Sequence, residues 1–330
     1  MDKSWPGMLD QWRLAQADYL SDDNLSDDVA LERYLGTALK LGVFHAVQHH
    51  QHEVCSAAFR GTRLVYVQIY KVNTYGVCAN IMAMDDGGVT SRSFEFTFVR
   101  EPLGRFSSGF SEISYRSARY HGADSRGSET CAHWKDHSTT SRARARVFLE
   151  ELLAGRLGQQ VSTASGAPHL GHHSGKQCAL YERLLHVLPQ VGFVVAALAR
   201  HDVESLGYIG KLETLESDWE ELGSHVTMSA LPEGLHGDGA WPRFRSDLWA
   251  VPWGPGLTVN PHAHTNADSG SSAREQMDSL ISEIGGSARL SLCRVFLPDF
   301  VCFGYPLPDD CAAAIGTQHG VTCPYPWALP

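Results

Sequence analysis

The stretch Ser93 to Tyr115, SFEFTFVREPLGRFSSGFSEISY, constrains this chain more than any other. Phe94, Phe96 and Phe98 alternate with Glu95, Thr97 and Val99, the two-residue period of a β-strand. The run ends at Arg100, and Pro102 suits the first turn of a helix, where its missing N–H costs nothing. A strand therefore passes almost directly into a helix whose opening turns carry Arg105, Ser107 and Ser108. Backbone N–H groups at such a helix start, with the positive end of its dipole, favour a phosphate beside Arg100 and Ser108.

A second corner of the same kind precedes it. Arg63 to Tyr70, RLVYVQIY, has the β-branched and aromatic content of a strand. Lys71 follows, and VNTYGVCANIMAM reads as a tight loop entering a helix. Strand, Lys-bearing loop and helix together can cradle an anionic group, here with Lys71, Val72, Asn73, Thr74, Tyr75, Gly76 and Val77. The bland reading is a lysine at a strand end with no ligand. Only a short acidic link, Asp85, Asp86, Gly87 and Gly88, separates this helix from the Phe-rich strand.

Length and charge bound the possibilities. With 330 residues, 43% of them hydrophobic, the chain can bury one large core or two small ones. A formal charge of −10 argues against nucleic-acid binding by bulk electrostatics, but not against a small anionic ligand. No apolar run reaches bilayer-spanning length, and the opening MDKSWPGMLDQW lacks the apolar core of a signal peptide. Eight scattered cysteines include no C-x-x-C pair, which disfavours a zinc ribbon or a thioredoxin-like site. The late cluster Cys302, Cys311 and Cys323 suits a disulfide in an oxidising compartment and equally suits buried thiols.

The remaining segments read as follows. Residues 1–60 form a polar, acidic leader and an amphipathic helix from Ser26. That helix runs into a solvated histidine-rich end, where His45 and His49 share the four-residue spacing of a metal pair. Residues 116–142 are polar without a period, holding His121, His133, Trp134 and Lys135, and a long loop there is functional or mobile. Arg144 to Leu157 reads as a helix with Val147, Phe148, Leu152 and Leu153 on its apolar face. The segment 158–177 is a Gly/His/Ser loop whose Gly171 to Gly175 spacing is one residue short of a Walker loop. Cys178 to Leu188 reads as a helix and Val191 to Leu198 as an apolar strand. Tyr208 to Leu212 suits a short strand, with Ser217 and Glu220 as a capping box for the next helix. The Pro-rich tail 306–330 reads as extended.

VREPLGRFSSGF resembles the 3′-phosphate-binding motif of the sulfotransferases that use 3′-phosphoadenosine-5′-phosphosulfate (PAPS). That family's pattern is a strand, then Arg-Asp/Asn/His-Pro, Arg, and Ser before an aromatic; its phosphate-binding Arg and Ser fall on Arg100 and Ser108. The loop at Lys71 resembles the family's 5′-phosphosulfate loop, with Tyr70, Asn73 and Tyr75 departing from its pattern and Glu101 standing where Asp is common. LGYIGKLETLESDWEEL resembles a third family segment through Gly210, Glu213, Leu215 and Asp218. Pro261, His264 and Asn266 resemble the stretch before the family's last helices, and LCRVFLPDFVCFGY resembles its closing Asp-Phe-x-x-Phe-Gly-Tyr at Asp299 to Tyr305.

The resemblance, closest in wording to Golgi-type carbohydrate sulfotransferases, spans most of the chain. It implies an α/β, P-loop-like mononucleotide-binding fold over residues 61–305, a central parallel sheet flanked by helices, with the ligand at strand C-termini. It implies sulfuryl transfer from PAPS to an acceptor hydroxyl, first of all on a carbohydrate, without a metal. Lys71 would neutralise the leaving phosphate oxygen, residues Val72 to Val77 would hold the 5′-phosphate, and Arg100 and Ser108 the 3′-phosphate. The acceptor needs a base, for which His121 is the first choice, then Glu95, Asp86 and His133. The competing expectations are a catalytically degenerate relative that binds a nucleotide or glycan, a P-loop phosphotransferase, and a His-rich metal protein. The compartment is the Golgi lumen by resemblance if a leader or anchor precedes this chain, and otherwise the cytoplasm.

Overall fold

The computed structural model describes residues 55–69, 74–88, 92–121, 141–153, 186–194, 206–230, 241–246, 248, 270–315 and 323. Strand β1 (Cys55–Phe59) turns back into β2 (Thr62–Tyr66) through Arg60 and Gly61, at φ of 52° and 77°. Two residues of positive φ give a two-residue loop the twist that flanking strands require, and glycine takes the second at no steric cost. The sequence reading holds no strand at β1, because CSAAF is short and alanine-rich and only its turn betrays it. The boundary drawn at residues 60 and 61 falls inside this hairpin.

Helix α1 (Thr74–Met82) leads to β3 (Arg92–Val99), which lies parallel to β2 with Tyr66 opposite Phe96. Helices α2 (Pro102–His121) and α3 (Ser141–Leu153) precede β4 (Tyr208–Lys211), which runs parallel to β3 with Phe98 opposite Gly210. Among the described residues the strand order is β1-β2-β3-β4. The sheet is therefore mixed rather than parallel throughout: the tight hairpin forces an antiparallel edge strand onto a parallel trio.

The alternation in β3 sorts the side chains onto two cores. Phe94, Phe96 and Phe98 pack with Leu64, Tyr66, Val77 and Ile81, and with Trp219 and Leu222 of α4 (Leu215–Ala230). Val67, Ile69 and Val99 point to the other face, against α2 and α3. Behind them stand α5 (Gly270–Glu283), α6 (Gly286–Val295) and α7 (Leu297–Cys302). Helices thus cover both faces of an α/β sheet, and each fully buried Phe contributes about 1.5–3 kcal/mol of burial energy.

Several local expectations change. Residues 190–194 are helical, not extended, because Gln190 and Asp299 anchor their first turn as described below. Residues 186–188 form a turn, not a helix end. Helix α3 starts earlier than read, residues 154–157 lie outside the described residues, and its buried face is Ala145, Phe148, Leu149 and Leu152, leaving Val147 43% exposed. The capping box at Ser217 does not form: α4 is entered from a 3₁₀ turn over Leu212–Thr214, and Ser217 Oγ donates to Thr214 O (2.9 Å). After Pro306 the chain is not simply extended, since α8 spans Asp309–Ile315. Disulfides join Cys55 to Cys78, Cys293 to Cys311 and Cys302 to Cys323, so the late cluster pairs partly outside itself. No helix of the described residues is long and apolar enough to cross a membrane. The leader, the helix from Ser26, and His45 and His49 lie outside the described residues.

Candidate functional site

Because β2 and β3 are parallel neighbours, their C-terminal ends open on the same edge of the sheet, one strand spacing (about 4.8 Å) apart. The chain leaves β2 through Ile69 and β3 through Arg100 at this edge, and a helix follows each, α1 from Thr74 and α2 from Pro102. Lys71, Val72 and Asn73 lie outside the described residues. Thr74 and Tyr75 open α1, and Gly76 and Val77 are buried in its first turns.

The second corner is described in full. Glu101 is the N-cap of α2: its carboxylate accepts from the N–H of Leu103 (3.1 Å) and of Gly104, while its carbonyl accepts the first helical bond from Arg105 N (2.9 Å). The helix start expected to hold a phosphate thus already holds an anion of its own. What this corner offers a ligand is side chains. Arg100 Nε lies 4.0 Å from the point a Cβ on Gly104 would occupy, so the guanidinium runs along the first turn of α2. Gly104 and Ser108 are four residues apart and share one helix face, which puts half-buried Ser108 one turn beyond Arg100. The Glu101 carboxylate stands nearer still to that point, 3.0 Å away, so Arg100 and Ser108 flank a helix start that Glu101 itself occupies.

Arg100 is held by its backbone from two directions. The Gln190 side chain brackets it, Oε1 accepting from Arg100 N (2.9 Å) and Nε2 donating to Arg100 O (2.7 Å). Asp299 of α7 fixes Gln190 in turn, accepting from Gln190 N (2.8 Å) and Val191 N (2.9 Å). Gly109 lets this segment approach α2, for a Cβ there would stand 2.2 Å from His186 O. On the other side Glu213 accepts from Glu101 N (2.9 Å) and from the Tyr305 hydroxyl (2.8 Å). Lys211 Nζ donates to Gly304 O (3.1 Å) and sits 4.7 Å over the Tyr305 ring. The segments 208–218 and 299–305, read as marks of the fold, meet at the Arg100 corner.

Charges around the corner are close-set. Burial lowers the Arg100 pKa from its ordinary value, as does the neighbouring Arg274 cation of α5, while Glu213, Glu101 and Asp278 pull it back up. Burial pushes the Arg105 guanidinium down to about 10 and the Asp299 carboxyl up to about 6, each opposed by the other's charge, so both stay ionised at neutral pH. Arg105 is spent internally: it donates to Leu188 O and lies 5.5 Å over Phe193. Burial, with Glu213 beside it, pushes the Tyr305 phenol well above its usual range, so its hydroxyl remains a donor.

The expected bases do not reach this edge. His121 is the last residue of α2, about 28 Å along the axis from Pro102. Glu95 sits five residues before Arg100 in β3, roughly 16 Å back along the strand. Asp86 is tied to the β1 edge by Arg60 N (2.7 Å) and Gly88 N (2.9 Å). Along their elements His121, Glu95 and Asp86 thus stand away from the Arg100 corner, and His133 lies outside the described residues. Sequence reasoning missed Gln190, Glu213 as a clamp and Arg274, for which no motif was available.

Fold and corner define an α/β protein with a candidate anion site at the C-terminal edge of its parallel strands. Set against known proteins, the chain matches no family model, no curated protein and no solved structure.

Proposed function

We propose that this chain is a PAPS-dependent sulfotransferase that moves a sulfuryl group to an acceptor hydroxyl, with carbohydrates the first acceptors to test. The observation that carries the reading is the adjacency of the parallel strands β2 and β3, which end on one edge and are each followed by a helix. Sulfuryl transfer is an in-line displacement governed by positioning and charge stabilisation. The bond from sulfur to the bridging phosphate oxygen breaks as the acceptor oxygen bonds to sulfur, and the acceptor's proton leaves to a base. Lys71 neutralises the charge growing on the bridging oxygen, and N–H groups of residues 72–77 hold the 5′-phosphate. Arg100 and Ser108 hold the 3′-phosphate and separate this donor from nucleotides lacking it.

The test is transfer of labelled sulfate from PAPS onto a panel of acceptors. Lys71→Ala should lower turnover by roughly 100-fold or more. Arg100→Ala should weaken donor binding about 10- to 100-fold and spare turnover at saturating donor. Full activity in both variants would overturn the assignment. A second reading, a relative that binds the nucleotide without transfer, is favoured by one observation. Glu101 and Glu213, the carboxylates described at the corner, are both engaged by backbone N–H groups. Adenosine 3′,5′-bisphosphate that raises the melting temperature of a protein with no transfer activity would establish it.

A further inference from the structure

We infer that Glu213 and Tyr305 are positioning residues for the 3′-phosphate: they lock the Arg100–Glu101 peptide so that the Arg100 guanidinium is held in place before the nucleotide arrives. The inference rests on the donor site proposed above. Its geometry is a relay from the C-terminal segment to the corner. Tyr305 OH donates to Glu213 Oε2 (2.8 Å), and Glu213 Oε1 accepts from Glu101 N (2.9 Å), the residue directly after Arg100. Tyr305 is itself fixed, since its N–H donates to Phe300 O (2.9 Å) and Lys211 lies against its ring. Each oxygen of one carboxylate thus joins a different element, β4's exit turn carrying the carboxylate between them.

A side chain that merely fills the core needs no such bridge. Tyr305 is only partly buried and Glu213 is exposed, so the pair adds little hydrophobic energy, and its effect falls on where the corner stands. A guanidinium attached to a fixed peptide loses less freedom on binding, which raises affinity for the group it grips. The effect should therefore be specific to the phosphate that Arg100 meets, leaving the rest of the nucleotide untouched.

The experiment compares the full chain and its variants for binding adenosine 3′,5′-bisphosphate and adenosine 5′-monophosphate by calorimetry. In the parent protein the bisphosphate should bind more tightly. Glu213→Ala should cut that preference about tenfold and Tyr305→Phe about threefold, in keeping with the loss of hydrogen bonds to a charged group. Monophosphate affinity should hold within twofold in both. Leu222→Ala, a core change on the opposite face, should lower the melting temperature and leave the preference intact. Tyr305→Phe keeps the ring, so it reads the relay even where Glu213→Ala does not fold. A parent that shows no preference removes the donor reading, and the inference with it. A parent with the preference, and variants that keep it in full, removes the inference alone.

Discussion

The two helices that follow the parallel strands β2 and β3 start in opposite ways. At β3–α2 the helix start is closed by its own carboxylate, Glu101, and the peptide is clamped by Gln190 and Glu213. Such a corner can offer a ligand only side chains, Arg100 and Ser108. At β2–α1 the residues from Lys71 to Cys78 include no carboxylate, and α1 has no acidic residue in its first turn. Its hold on the molecule comes from behind. Cys78 is bonded to Cys55 of β1, and the buried Asn80 amide donates to Arg245 O (3.0 Å) and accepts from Arg245 N (2.8 Å). A helix start with no carboxylate of its own in the local sequence leaves the positive end of its dipole for an anion from elsewhere. On the reading proposed above, the two corners would grip phosphate differently, by the Arg100 guanidinium and Ser108 hydroxyl at one and by Lys71 and backbone N–H groups at the other.

The largest effect should come from the staple behind the first corner. Replacing both Cys55 and Cys78 by serine opens a loop of 23-residue separation, worth about 3 kcal/mol by chain entropy. Urea denaturation of the oxidised parent and the double variant measures it. If the corners are independent, the preference for bisphosphate over monophosphate survives the loss. Its collapse would show that the two corners share one scaffold.

A pH experiment sharpens the other side. Asp299 anchors Gln190, and burial raises its carboxyl from 3.8 to about 6. A carboxyl whose folded pKa lies above its unfolded one favours the folded state when protonated. Its contribution is fully present below about pH 4 and withdrawn as pH rises through about 6. Asp299→Asn deletes that dependence. Stability of the parent relative to the variant should therefore fall between pH 4 and pH 6.5. Asp86 and Glu283, whose pKa values are lowered, act the other way but cancel in the difference. A flat difference would mean Asp299 titrates at its unfolded value.

Local pattern carried the corner itself into view and stopped there. The Phe94–Phe98 alternation, Pro102 as a helix opener and the short strand before Glu213 are all legible within a few residues of sequence. What locks them is not local: Gln190 meets Arg100 across 90 residues, and Glu213 meets Glu101 across 112. Gln190 lies in PQVGFVV, where the apolar run reads as a strand, but its amide is spent on another segment's peptide and residues 190–194 coil into a helix. The place of His121 was hidden for a related reason. Residues 116–121 lack a helical apolar stripe, so nothing in their composition shows that α2 carries His121 a full helix length away.

The smallest effect bears most directly on the contrast between the corners. Glu101→Ala removes the N-cap carboxylate from Leu103 and Gly104, which should cost about 1 kcal/mol of stability. The same change frees two N–H donors and removes a negative charge beside Arg100. Bisphosphate binding should then tighten by roughly two- to fivefold, the size of a charge–dipole effect at a helix start. Glu101→Asp keeps a carboxylate at the cap and should leave both quantities near the parent's. Thermal melts with and without bisphosphate read the two effects separately, since the lowered melting temperature and the larger ligand-induced rise have opposite signs. Weaker binding in Glu101→Ala would mean that Glu101 orients Arg100 more than it competes with the phosphate, and the two corners would then differ in degree only.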